Sequence, residues 1–192
     1  ANVAEVVRSR SAAEGVKFLT GERVVSVNGE GRVKSVSTSG GLQIDCDLVC
    51  VGIGIRPNTG LASAAGLETA NGIVVDEMMR TSAPDIFAAG DVISFPDPIC
   101  SRRLRAEHWG HAEYSGQIAG GNMAGRETGY DFMSYAWSDV FDLHIESAGY
   151  IEDHDEVVVR GADESCFTSL YLRGGALVGY CAINSEPVEF AT

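Results

Sequence analysis

The stretch TSAPDIFAAGDVISFPD, residues 81 to 97, places a carboxylate, Asp91, directly after Gly90 where a short apolar run closes. That run reads as a buried strand. A carboxylate at the carboxyl end of such a strand, beside a glycine that lets another backbone approach closely, can accept hydrogen bonds from the hydroxyls of a polyol ligand at the crevice of a sheet. The same Asp91 can instead cap the turn that follows, because aspartate side chains bond backbone groups in turns. These residues alone leave both readings open.

The other reactive residue types narrow the chemistry. His108 and His111 stand three apart and can share one helical face, but no further ligands follow at matching spacing, so no metal site is expected. Cys46, Cys50, Cys100, Cys166 and Cys181 show no C-x-x-C spacing and read as buried, reduced thiols of a cytoplasmic protein. Gly52-Ile53-Gly54 has Pro57 where a third glycine would belong, and Gly29 and Gly31 are followed by Lys34 in that place. With no G-x-x-x-x-G-K-[ST] either, the chain carries no phosphate cradle.

The 192 residues, 45% of them hydrophobic, suffice for one large domain or parts of two. A formal charge of −13 argues against binding nucleic acid or an anionic membrane, and no transmembrane span or signal peptide stands out. The pattern predicts a helix over residues 2 to 14 ending at Gly15, then a strand from Val16 to Leu19. ERVVSV, GRVKSVSTS and LQIDCDLVCVGIG read as a meander separated by the turns NGEG and SGG, with Leu48 to Ile53 as a fully buried strand. IRPN marks a passage between domains, followed by a short helix at Leu61 to Ala65, an Asn71-Gly72 turn and the strand GIVVD. DEVVVRG, CFTSLYLRGG and ALVGYCAINS, with a Gly174-Gly175 turn, complete a small antiparallel sheet.

Two of these segments carry a resemblance. TSAPDIFAAGDV resembles the T-x-x-P-x-I-[FY]-A-x-G-D segment of flavoproteins with two dinucleotide-binding domains, and DLVCVGIGIRPNTGLASAAGLE resembles the stretch that precedes it there. In that family the Gly-Asp pair holds the ribityl chain of FAD, a role that would fall on Gly90 and Asp91. RRLRAEHWGHAEYSGQIAGGNMAG is similar to the R-x-E-x-x-x-x-A helix start of NADH-dependent ferredoxin and rubredoxin reductases. EHWGHA is also similar to apoptosis-inducing factor and monodehydroascorbate reductase, while the His-Pro-Thr motif of the glutathione reductase branch is missing. A helix starting near Glu107 would aim free N–H groups and a positive dipole end at the N1 and O2 side of a reduced flavin. Plain packing by Ala112, Ser115, Ala119 and Gly120 accounts for the same helix without a ligand.

YAWSDVFDLHIESAGY resembles the F-W-S-D-x-[YF]-D-L segment that opens the C-terminal domain of these reductases. The resemblance puts Trp137 beside the isoalloxazine ring on the acceptor side, with Trp109 as a second aromatic near it; a core role for Trp137 is the alternative. The implied fold class is α/β, part of a two-dinucleotide-binding-domain flavoprotein with a C-terminal α+β interface domain. Residues 1–50 would end the NAD(P)H-binding domain, 51–127 would be the second segment of the FAD domain, and 128–192 the C-terminal domain.

The implied cofactors are FAD and NADH or NADPH, with cofactor contacts from Gly90, Asp91, Glu107, His108, Trp109 and Trp137 and no catalytic nucleophile or base. The implied chemistry is hydride transfer from NADH to FAD N5, then single electrons to a ferredoxin- or rubredoxin-type carrier. Arg102, Arg103 and Arg105 would form a basic patch for an acidic carrier or for NADH phosphates, or else be solvated loop residues with Glu107 as a partner. A homodimer is a further expectation, and the missing phosphate loops keep open a non-catalytic fragment that only dimerises or docks a partner.

Overall fold

The computed structural model describes residues 3–98, 102–152, 154–163 and 165–185. It divides into two compact units, Ser11–Arg56 on the one hand and Ala1–Arg10 with Pro57–Thr192 on the other. The first helix, α1 (Val3–Ala13), carries Glu5 in its first turn and Arg10 in its last, as the helix dipole favours. Gly15, at φ +86°, follows its end.

In the smaller unit, β1 (Val24–Asn28), β2 (Ser35–Thr38) and β3 (Gln43–Asp45) form the expected antiparallel meander. Two expected strands are missing. Residues 16–19 are irregular, and so are residues 46–56. Leu48 is 82% exposed and Ile53 89%, where a fully buried strand was expected. A continuous apolar run is buried as a strand only with neighbours on both sides and both faces, and among the described residues no strand pairs with it.

The larger unit begins with α2 (Gly60–Ala64) and a sheet of β4 (Thr69–Ala70), β5 (Gly72–Val74), β6 (Ile93–Pro96) and β7 (Arg103–Leu104), paired in that order. The β5–β6 pair is parallel and the other two are antiparallel. The helix α3 (Trp109–Met123) packs Ile118 and Ala119 against Val75, Met79, Ile93, Phe95 and Tyr130. Asn122 fastens its last turn: its amide donates to the carbonyls of Met78 at 2.8 Å and Thr128 at 2.9 Å and accepts from the Thr128 N–H at 2.9 Å.

The C-terminal sheet is fully antiparallel, ordered β10-β11-β12-β9-β8, from β8 (Tyr135–Val140), β9 (Leu143–Gly149), β10 (Glu156–Asp163), β11 (Cys166–Arg173) and β12 (Ala176–Ile183). The Gly174-Gly175 turn has positive φ at both residues, the requirement of a two-residue hairpin whose twist matches its strands. Val3, Val6 and Val7 of α1 pack on this sheet's cluster of Leu143, Phe167 and Ile183. The mixed α/β unit with its separate β-rich C-terminal part agrees with the expected fold class. No described helix is long and apolar enough to cross a membrane.

Candidate functional site

The strand expected before Gly90 forms only an isolated bridge between Phe87 and Arg80. The regular strand, β6, comes after the Gly-Asp pair, so Asp91 stands at the amino end of a buried strand and not at the carboxyl end of one. The reason is local. Gly90 adopts φ +82°, a left-handed backbone that favours glycine, and the turn through Asp91 and Val92 that follows is closed by the Ile93 N–H to the Gly90 carbonyl at 3.1 Å. The turn is anchored to α3, because the Gly90 N–H donates to the buried Ser115 hydroxyl at 2.9 Å. A Cβ on Gly90 would meet only Ala112 Cβ, at 3.9 Å, which leaves open space on that side of the backbone.

The Asp91 side chain caps nothing. It is half-buried, and among the described residues no hydrogen bond or ion pair reaches its carboxylate. Only its backbone carbonyl is engaged, by Arg105 at 3.4 Å. A partly buried carboxylate with unfilled acceptor sites fits a ligand that brings hydroxyl donors.

The amino end of α3 lies close by. Its cap is His108, whose Nδ1 accepts from the His111 N–H at 3.1 Å while Nε2 pairs with the Ser134 hydroxyl at 2.8 Å. An Nδ1 that accepts carries no proton, so His108 is neutral here. Burial lowers its pKa accordingly, with Asp91 pulling weakly the other way. The first N–H groups of α3, on Trp109 and Gly110, meet no acceptor among the described residues. Free N–H groups and the helix dipole make this end suited to negative charge.

Two cavities meet at His108. One, about 240 Å³, is lined by Phe95, Leu104, Arg105, Glu107 and Tyr150 among others. The second, about 460 Å³, lies between α3 and the C-terminal sheet and is lined by Trp109, Gly110, Phe132, Tyr135 and Trp137. Trp137 is 63% exposed and Trp109 80% exposed, so neither is a core aromatic. Glu107 pairs with Arg105 at 2.5 Å. The structure thus brings His108, Trp109 and Trp137 to one cavity, and Glu107 to the neighbouring one.

The three arginines are engaged within their own unit, Arg105 by the expected partner Glu107. Arg103 donates to the backbone carbonyls of Val75 and Ser94, Arg102 stacks on Tyr150 at 3.9 Å and pairs with Glu152 at 3.8 Å, and Arg105 turns inward to Glu107. These guanidiniums staple the unit together. The cysteines differ as well: Cys181 is buried, Cys46 and Cys166 are half-buried, Cys50 is exposed, all four are free thiols, and Cys100 lies outside the described residues.

Sequence reasoning weighed His111 only as a metal ligand, yet it is buried in the core beneath the amino end of α3. It is fully buried, stacked on Phe95 at 4.6 Å, with Nδ1 2.6 Å from the Tyr130 hydroxyl and Nε2 without a partner. Burial brings its pKa down to about 4, with neighbouring His108 pushing the same way and the Gly90 backbone and Asp91 opposing. Its place three residues after the cap, on the inward face of α3, was the available signal.

Comparison with known proteins shows the family. Residues 1–116 match the family model for pyridine nucleotide-disulphide oxidoreductases, and residues 135–192 match the model for a reductase C-terminal domain. The chain is 35% identical over 192 residues to a ferredoxin reductase of Castellaniella defragrans, covering 98% of this chain and 47% of that protein. It is 33% identical over 178 residues to apoptosis-inducing factor 3 of Homo sapiens, covering 90% and 29%. Among solved structures, a covalent putidaredoxin reductase–putidaredoxin complex superposes with a TM-score of 0.89 at 32% identity, covering 97% of this chain and 46% of the matched one. The chain therefore spans half or less of the length of these relatives.

Proposed function

Since the chain belongs to the pyridine nucleotide-disulphide oxidoreductase family, we propose that it forms one wall of an FAD site in an NAD(P)H-dependent reductase that serves a ferredoxin- or rubredoxin-type electron carrier. The observation that carries this reading is the free Asp91 carboxylate beside the left-handed Gly90, with its charge felt by His108 at the amino end of α3. Bound there, FAD would take electrons pairwise from NAD(P)H and pass them on singly. Asp91 accepts hydrogen bonds from ribityl hydroxyls, and Gly90 lets that chain pass without a Cβ in its way. The unsatisfied N–H groups of Trp109 and Gly110, with His108 neutral behind them, stabilise negative charge on the N1 and O2 side of the ring. Trp109 and Trp137 cover the ring and keep water from it. Glu107 acts through Arg105, holding the entry to α3.

In the same reading, residues 1–50 belong to an NAD(P)H-binding domain, 51–127 to the FAD domain and 128–192 to an interface domain, in a cytoplasmic enzyme. The carrier is supported by the similarity to the putidaredoxin reductase in the covalent complex. A second reading, a flavoprotein of the apoptosis-inducing factor type, is favoured by the 33% identity to that human protein. Turnover with ferredoxin against turnover with monodehydroascorbate separates the two. The first test is the visible spectrum of the purified chain with FAD, alone and combined with the upstream half of the Castellaniella reductase. A bound-flavin band that NADH bleaches anaerobically, and that Asp91→Ala weakens, is the expected result. A folded chain that leaves FAD unbound in both conditions overturns the reading.

A further inference from the structure

The hairpin β8–β9 carries a connected group of side chains on one face. Alternation along β8 puts Tyr135, Trp137 and Asp139 together, and the register pairs Trp137 with Glu146 and Asp139 with His144. His144 Nδ1 is 2.6 Å from an Asp139 carboxylate oxygen, and Nε2 is 3.1 Å from Glu146 Oε1. The same Glu146 oxygen accepts from the Tyr135 hydroxyl at 2.8 Å. The imidazole stacks on the Trp137 indole, with ring centroids 6.3 Å apart and planes 28° from parallel.

Carboxylates only accept, so both bonds to His144 exist together only when both ring nitrogens carry protons. That species is the imidazolium. The groups around the ring favour this state. Asp139 faces it from β8 and Glu146 from β9 itself. Asn184, just after β12, accepts the His144 backbone N–H at 2.7 Å, and from β12 Tyr180 lies beside Glu146. Tyr135 stays a donor throughout, since burial and Glu146 push its hydroxyl up to about 12.

We propose that protonated His144, gripped by Asp139 and Glu146, is a positioning residue for Trp137: it fixes the indole at the mouth of the cavity shared with His108 and Trp109, and loss of its proton releases the indole. The consequence for electron transfer rests on the function proposed above, whereas the clamp itself does not. The hydrogen bond it donates to Asp139, followed by that to Glu146, raises the pKa of His144. The clamp is therefore complete below the ordinary histidine value of about 6.5 and opens as pH rises through the raised one.

The chain has two tryptophans, so Trp109→Phe leaves Trp137 as the only indole emitter. A stacked imidazolium quenches indole fluorescence and a neutral imidazole quenches far less. The expected result is an emission step upward with pH, centred above about 6.5, that His144→Gln abolishes and that Asp139→Asn with Glu146→Gln moves down toward the ordinary value. NMR titration of the His144 ring protons in the unaltered chain supplies the same midpoint without any substitution. An emission step that survives His144→Gln, a chain with no step, or a His144 that titrates at or below about 6.5 overturns the clamp. No flavin enters either measurement, so failure of the FAD reading would leave these outcomes unchanged.

Discussion

His111 makes acid pH a direct probe of the site. The ring is fully buried, one nitrogen has no partner, and its pKa lies at about 4. The folded chain keeps His111 neutral over a window in which the unfolded chain has already bound a proton, so stability falls as pH drops from about 6.5 toward 4 and this loss levels off below. The depression is roughly 2.5 pH units, and at about 1.4 kcal/mol per unit the loss is about 3 kcal/mol by pH 4 and levels off at about 3.5 kcal/mol below. Urea unfolding of the chain and of His111→Phe at several pH values isolates it, since the carboxylates and the other histidines titrate in both. Phenylalanine keeps the stack on Phe95 and removes the orphaned nitrogen while freeing the Tyr130 hydroxyl, so at pH 7 the two proteins should differ by no more than about 1–2 kcal/mol. Between pH 7 and 4 the parent should lose about 3 kcal/mol more than the variant. Parallel profiles, or an NMR pKa for His111 near its ordinary value, would falsify the assignment of a buried, neutral ring.

Three further outcomes follow from single contacts. Asp91→Ala removes a carboxylate that no described residue engages, so urea midpoints should stay within about 0.5 kcal/mol of the parent; a flavin titration should show roughly 10- to 100-fold weaker binding, the worth of one or two charged hydrogen bonds. Gly90→Ala meets no clash but must hold φ +82°, and a cost of about 1–2 kcal/mol in thermal unfolding is expected. Asn122→Leu deletes three buried hydrogen bonds and should cost about 3 kcal/mol in urea unfolding; a loss under about 1 kcal/mol would mean that water replaces the amide.

What the sequence could reveal depended on the range of the interaction concerned. The Gly174-Gly175 hairpin and the strands DEVVVRG, CFTSLYLRGG and ALVGYCAINS were legible because turn chemistry and β-branched runs act locally, and β10, β11 and β12 follow them closely. The start of α3 was legible to within two residues, although its cap is a histidine and not one of the usual small polar residues. Leu48 to Ile53 was misread because an apolar run reports only the wish to be buried, and burial needs partners that periodicity does not display. The arginines 102, 103 and 105 were left between a basic patch and loop residues with Glu107 as a partner, and the pairing of Arg105 with Glu107 is found. A cluster of charges in sequence looks like a patch, but a guanidinium has five donors, and three such groups here find carbonyls, carboxylates and a tyrosine ring within their own unit.

The same distinction separates what is structural in this site from what is functional. Nearly every polar group around Gly90 is satisfied from within: Ser115 holds the Gly90 N–H, Ser134 holds His108, and Glu107 holds Arg105. Among the described residues the exceptions are the Asp91 carboxylate, the first N–H groups of α3 and the buried Nε2 of His111 and Nε of Arg105, and two exposed indoles flank the cavity between helix and sheet. Unsatisfied donors and acceptors and exposed aromatics all cost stability where nothing covers them. A chain that fastens its arginines so thoroughly and leaves these groups open presents a surface complementary to a ligand with hydroxyls, a negative edge and a flat apolar face. A flavin dinucleotide has all three.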